Sequence, residues 1–182
     1  QIGDSGVIIS KNGEFEVIDT KKLGSANLLY GKQTKGFLEI NDKAHAEIDK
    51  EKRDCIKLNH SATHLLHAAL IKNIGSNVQQ KGSLVSETKL RFDFSCEKPI
   101  KRKTLNLIED EVNNNIEKNI TADTKLMNKE EAISKGAMAL FGEKYDDVVR
   151  VLSFSDISVE LCGGTHVKST GDIGVFKILS ES

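Results

Sequence analysis

The stretch Leu58–Ile74, LNHSATHLLHAALIKNI, decides how the rest of the chain is read. On a helix turning by about 100° per residue, Leu58, Ala62, Leu65, Leu66, Ala69 and Leu70 gather on one side. His60, His64, His67 and Ile71 gather on the opposite side. This period predicts a helix over Leu58–Ile74, with Gly75 placed to end it. The four-residue step from His60 to His64 sets the two imidazoles about 40° apart and one turn along, so they can converge on one ion. His67 shares the face and reads as a neighbour rather than a ligand. A histidine is more often a satisfied core or surface group, but the core reading suits the apolar side, and these residues lie opposite it.

Upstream of that helix the chain reads as β. Val7-Ile8-Ile9 and Phe15-Glu16-Val17-Ile18 flank Asn12-Gly13, a dipeptide suited to a tight hairpin turn. Short apolar runs follow at Leu28-Leu29-Tyr30 and Phe37-Leu38-Glu39-Ile40, punctuated by Gly24, Gly31 and Gly36. Four short strands with close turns suggest a small barrel-like unit over residues 1–46. The charged segment Asp42 to Arg53 reads as the start of helical structure, and residues 47–182 as a larger core. Downstream, Ser83 to Phe94 alternates in part and reads as a strand. A helix is expected from Arg102 to Asn119, where Leu105, Ile108, Val112 and Ile116 are helically spaced. A shorter helix starts after Asn128, an N-cap followed by Glu130 and Glu131. Val148 to Phe154, Ser158 to Cys162 and Gly174 to Leu179 read as strands. Helices and strands mix without a βαβ rhythm, which predicts an α+β fold: a β-barrel-like unit, then a mainly antiparallel sheet packed on helices.

Composition narrows the function classes. A net charge of -1 carries no global basic excess, so any nucleic-acid contact must be a local patch. Lys98, Lys101, Arg102 and Lys103 form the densest basic run. Such a run is usually a solvated helix start; its functional reading is a phosphate contact. No apolar run is long enough to span a bilayer. Three cysteines, Cys55, Cys96 and Cys162, argue against a disulfide framework and for a reducing cytoplasm. The opening residue is Gln1 rather than Met, which reads as a piece of a longer protein.

The second unusual segment is Cys162-Gly163-Gly164-Thr165-His166. Alone, Cys162 reads as a small buried apolar residue and the glycines as a turn. Together with His60 and His64, however, Cys162 and His166 supply the thiolate and imidazoles that zinc prefers. Four protein ligands suit a closed structural site, whereas metal catalysis needs an open position. Either one ligand is loose, or the ion expands its shell, or it only holds a pocket together. Ser61 after His60, where zinc-protease helices carry a glutamate base, argues against a zinc protease.

Five segments complete the pattern: Asn59 to Leu66, Gln80 to Leu84, Leu90 to Phe94, Ala139 to Tyr145 and Glu160 to His166. In this order they closely resemble the editing region of alanyl-tRNA synthetases, and Gln1 to Gly6 resembles the end of the Gly-Gly-Gln segment that opens it. The resemblance implies zinc held by His60, His64, Cys162 and His166, and a pocket lined by Gln80. It implies hydrolysis of tRNA(Ala) mischarged with serine or glycine, within a parent enzyme that ligates alanine to tRNA(Ala) using ATP. Gln80, Thr165 and Cys162 are then the candidate catalytic group. Thr63 also offers a hydroxyl, though a bond to nearby backbone is the plainer reading. Glu160 could serve as a base, but a solvent-facing strand carboxylate is again the plainer reading. The expected partners are the tRNA(Ala) acceptor end and the rest of the parent synthetase. The remaining readings are a free-standing editing protein of the same superfamily, a threonyl-type editing domain, and a structural zinc module that binds tRNA.

Overall fold

The computed structural model describes residues 1–24, 26–96, 98–139 and 145–182. Its architecture is α+β, with antiparallel sheets arranged around one long helix. Strands β1 (Gly6–Ser10) and β2 (Gly13–Leu23) form the expected hairpin around Asn12, pairing Ile9 with Glu14. Strand β3 (Ala26–Gly36) follows β2 antiparallel. Gly36 turns the chain at φ +51°, a left-handed conformation that L side chains rarely adopt. Phe37 to Ile40 is therefore not a strand. Its turn is closed by Asp42, whose carboxylate accepts from the Glu39 N–H, and Ile40 is 94% exposed.

The fourth strand lies later, as β4 (Ala44–Ile48), where the charged composition suggested a helix. It fills the free edge of β1, from Gly6↔Ile48 to Ser10↔Ala44. A ladder partner thus overrides the helix propensity of its alanines and glutamate. The sheet order is β3-β2-β1-β4, so its ladder is linear and no strand pair closes the expected barrel among the described residues.

Helix α1 (Lys50–Ile74) begins two turns before Leu58, capped by Asp49, whose side chain accepts from the Lys52 N–H. Its acidic cap is favourable at the positive end of the helix. The charged first turns hide this start from apolar periodicity. Gly75 ends the helix as expected. Every residue from Ser61 to His67 is buried, so the histidine face is covered as well as the leucine face. Leu65, Leu66, Ala69 and Leu70 pack with Ile108, Val112 and Ile116 of helix α2 (Arg102–Glu117). No helix of the described residues is long and apolar enough to cross a membrane.

Ser83 to Phe94 is a hairpin rather than one strand: β5 (Gln80–Val85) turns at Ser86 to Lys89 into β6 (Leu90–Phe94). Strand β7 (Ala122–Asn128) was not foreseen; its polar sequence ADTKLMN carries little apolar alternation. Asn128 caps helix α3 (Lys129–Ser134), accepting from the Glu130 N–H. Strands β8 (Val148–Phe154) and β9 (Ser158–Leu161) complete the sheet β7-β8-β9.

This sheet is packed on both faces. Val149, Val151 and Leu161 pack with Ala132 and Ala137 on the α3 side, while Leu152 and Phe154 join the α1–α2 core. Alternation along β9 then turns Ser158 and Glu160 toward α1, with Cys162 continuing the series. The motif segment 140–144 lies outside the described residues.

Gly174 to Leu179 pairs with no strand among the described residues; side chains fasten it to α2. The Asn113 carboxamide donates to Phe176 O at 3.0 Å and accepts from Phe176 N–H at 2.9 Å. One turn earlier, the Glu109 carboxylate accepts from Ile178 N–H at 2.8 Å. Asn113→Ala leaves both Phe176 backbone groups without these partners. The expected cost is about 1–3 kcal/mol, measured by chemical denaturation, with loss of hydrogen-exchange protection at Phe176.

Candidate metal centre

His60, His64, Cys162 and His166 converge, their ligand atoms all within 4.8 Å of one another. Helix α1 supplies the first two from one face, and the loop after β9 supplies the others. Cys162 Sγ lies 3.6 Å from His60 Nε2 and 3.2 Å from His166 Nε2. Bond lengths of about 2.0 Å to nitrogen and 2.3 Å to sulfur in a tetrahedron would separate such ligands by roughly 3.3–3.7 Å. The two sulfur–nitrogen spacings lie close to that range, and the four side chains could hold an ion.

Each imidazole has its other nitrogen occupied. His60 Nδ1 lies 2.8 Å from Gln1 Oε1, which also accepts from the backbone N–H of Thr165 at 2.9 Å. Because that N–H can only donate, the Gln1 atom facing it is an acceptor, and His60 Nδ1 is then the donor. His64 Nδ1 lies 2.9 Å from Glu160 Oε2. His166 Nδ1 lies 3.2 Å from Ser61 Oγ, a buried hydroxyl that accepts from the Val167 N–H at 3.1 Å. What remains is three Nε2 atoms and one Sγ aimed inward. His64 Nε2 is the buried side-chain polar atom without a hydrogen-bond partner among the described residues. An orphan of this kind calls for a ligand.

The loop itself is pinned. Arg150 Nη1 donates to Cys162 O at 3.0 Å and to Gly164 O at 2.7 Å. At Gly164 a Cβ would stand 2.2 Å from His60 Cε1, so the close approach of loop and helix requires glycine.

Burial and charge act together here. Burial opposes a charge on His64, but the Glu160 carboxylate outweighs it, with Cys162 adding, and raises the imidazole to about 10. Burial pushes the Cys162 thiol up, yet hydrogen bonds from His166 and His60 and the charge of the nearby His64 bring it down to about 3. His166 is lowered to about 4, chiefly by burial. The metal-free cluster is thus a thiolate beside an imidazolium.

The site corrects one sequence expectation. Glu160 is not a solvent-facing carboxylate: it is 3% exposed, and His64, His67 and Ser158 surround it. His67, read as a neighbour of the ligands, reaches Glu160 Oε1 through Nδ1 at 3.3 Å. Thr165 Oγ1 is 3.2 Å from Gln1 Oε1, at the exposed side of the cluster. Thr63 Oγ1 donates to Asn59 O, the plainer reading of that hydroxyl. Gln80 opens β5, half-buried, and no described hydrogen bond links it to the four-residue cluster. Lys98, Lys101, Arg102 and Lys103 are exposed around the start of α2.

Residues 149–182, which contain β8, β9, Cys162 and His166, match the family described as Threonyl and Alanyl tRNA synthetase second additional domain. The four ligand-type residues thus divide between helix α1 and the matched segment. Over 181 residues, 100% of this chain, the sequence is 52% identical to the Alanine--tRNA ligase of Legionella pneumophila (strain Paris). The two matches support a relation to the editing domain of alanyl-tRNA synthetases, and the chain spans 21% of the length of that relative.

Metal uptake should release a proton. Around neutral pH the thiolate is already formed, so the proton that must leave is the one on His64. Apparent affinity for zinc is expected to rise about tenfold per pH unit between roughly pH 6 and 8. Competition titrations over that range check the slope; a flat profile would contradict the imidazolium–thiolate state.

Proposed function

We propose that the domain binds zinc at His60, His64, Cys162 and His166 and hydrolyses tRNA(Ala) wrongly charged with serine or glycine. The observation that carries this reading is the convergence of three imidazoles and a thiolate, each imidazole braced at Nδ1, in a chain of this family. Water adds across the ester, releasing the amino acid and the free 3′ hydroxyl of the tRNA. Zinc held there supplies a positive charge that polarises water or anchors the substrate's amino group. Bracing the ligands keeps them preoriented for that task.

Serine differs from alanine by one hydroxyl, which an apolar synthetic pocket rejects only about a hundredfold, so a second hydrolytic site is useful. For the serine substrate, discrimination against alanine can come from a polar group that alanine would leave unpaired. Thr165 Oγ1 is suited to this, lying with Gln1 Oε1 at the exposed side of the cluster. Gln80 is the second candidate, on the hairpin that packs beside α1. The parent reaction, alanine ligation with ATP, belongs to the remainder of a longer synthetase. The reducing cytoplasm suits a site built on a thiolate.

Replacing Cys162 by Ala tests the assignment. The expected result is loss of bound zinc and loss of Ser-tRNA(Ala) deacylation; persistence of both ends the proposal. A structural reading has one observation in its favour, since four protein ligands already fill a tetrahedral shell. It predicts a zinc-loaded domain that binds tRNA yet leaves Ser-tRNA(Ala) intact.

For the RNA surface we propose the start of α2. Lys101, Arg102 and Lys103 are exposed there, and no side chain caps the helix, leaving the positive end of its dipole open. With Lys98 they form a local patch on a chain of net charge -1. A Lys101/Arg102/Lys103 triple Ala variant should weaken tRNA binding and flatten the dependence of log affinity on log salt by about two to three. An unchanged slope removes the patch from the interface.

A further inference from the structure

The geometry points to Glu160 as the positioning residue that fixes the ligating form of His64 and balances the charge of the cluster. This rests on the metal reading of the four-residue cluster. A carboxylate only accepts, so the 2.9 Å contact with Oε2 places a proton on His64 Nδ1. In a neutral imidazole that leaves the lone pair on Nε2, the buried atom without a partner among the described residues.

Charge supplies a second, independent reason. A divalent ion with one thiolate and three neutral imidazoles carries a net charge of +1. Burying that charge alone is costly. Glu160, 3% exposed beside a ligand that is itself 6% exposed, brings the group to neutrality without entering the metal's ligand set.

Glu160 is in turn held by two further donors. Ser158 Oγ donates to its Oε1 at 3.0 Å, and His67 Nδ1 approaches the same oxygen at 3.3 Å. The His67 ring sits against Phe92, 5.1 Å between centroids, which fixes its orientation. The result is a buried relay from Phe92 through His67 and Glu160 to His64. It also excludes Glu160 as the base that activates water, since its oxygens face these donors in a buried position.

The test is zinc binding by the intact chain and by Glu160→Gln, titrated against a competing chelator. Glu160→Gln should raise the zinc Kd about 10–100-fold and shift the ligand-field bands of the cobalt-loaded protein while its thiolate absorption persists. His67→Phe, which keeps the Glu160–His64 contact, should lower affinity less. A Glu160→Gln Kd within twofold of the unaltered chain overturns the inference. If Glu160→Gln does not fold, the imidazole nitrogen spectrum of the unaltered zinc-loaded chain decides. His64 protonated at Nδ1 supports the role, and protonation at Nε2 overturns it. Failure of the unaltered chain to take up zinc overturns the metal reading and this inference together; zinc uptake with equal affinities overturns this inference alone.

Discussion

The hydrogen bond from His64 Nδ1 to Glu160 Oε2 joins the central helix to the β7-β8-β9 sheet, and the site depends on it. A carboxylate buried without partners would cost several kcal/mol. Here it lies among His64, His67 and Ser158. Helix and strand cannot slip past each other without stranding that charge. A one-residue slip in β9 would turn Glu160 and Cys162 to the α3 side, where Ala132, Ala137 and Val149 pack. The polar contact thus sets the register that brings Cys162 to the histidines, while the leucine side of α1 supplies the bulk of the burial.

Two periods meet at this contact. A helical step of three or four places His60, His64 and His67 on one face, and a strand step of two places Ser158, Glu160 and Cys162 on one face. The first was legible in the sequence, because four histidine-face residues stand against six apolar ones on the wheel. The second was not, since Glu160 between Val159 and Leu161 reads as the solvent side of a half-buried strand. The signal was nonetheless there. Once Cys162 is assigned to the site, alternation commits Glu160 to the same face. Burial of the whole stretch Ser61–His67 also went unread, because a wheel shows which residues share a side but not what covers it.

Other differences have one cause. Strand β4 and the irregular segment Gly174 to Leu179 are defined by partners distant in sequence. An AHAEI segment becomes a strand because β1 offers an open edge, and a GVFKIL segment stays out of a sheet because Asn113 and Glu109 on α2 satisfy its N–H groups first. Local propensity is weak beside such pairing. Where the partner is adjacent, as in the β1–β2 hairpin or the Asn128 cap of α3, sequence reading and structure coincide.

The asymmetry of the cluster limits how anything can reach it. His64 is closed off by Glu160 and the core, whereas Gln1 and Gly163 are exposed and His60 and Thr165 only half-buried. Approach is therefore from the Gln1 side. The polar atoms there are already committed to one another: Gln1 Oε1 lies within hydrogen-bond distance of His60 Nδ1, Thr165 N and Thr165 Oγ1. Three donors crowd an oxygen with two lone pairs, so the Thr165 hydroxyl, the longest of the three contacts and the one able to rotate, is the group that can be released. The loop carbonyls of Cys162 and Gly164 are held by Arg150, which leaves that hydroxyl as the adaptable polar group on the rim. On the proposed reading, a ligand cluster beneath an exchangeable hydroxyl would separate the two tasks of such a site: ligand geometry fixed from the buried side, and the choice of what enters made at the exposed one.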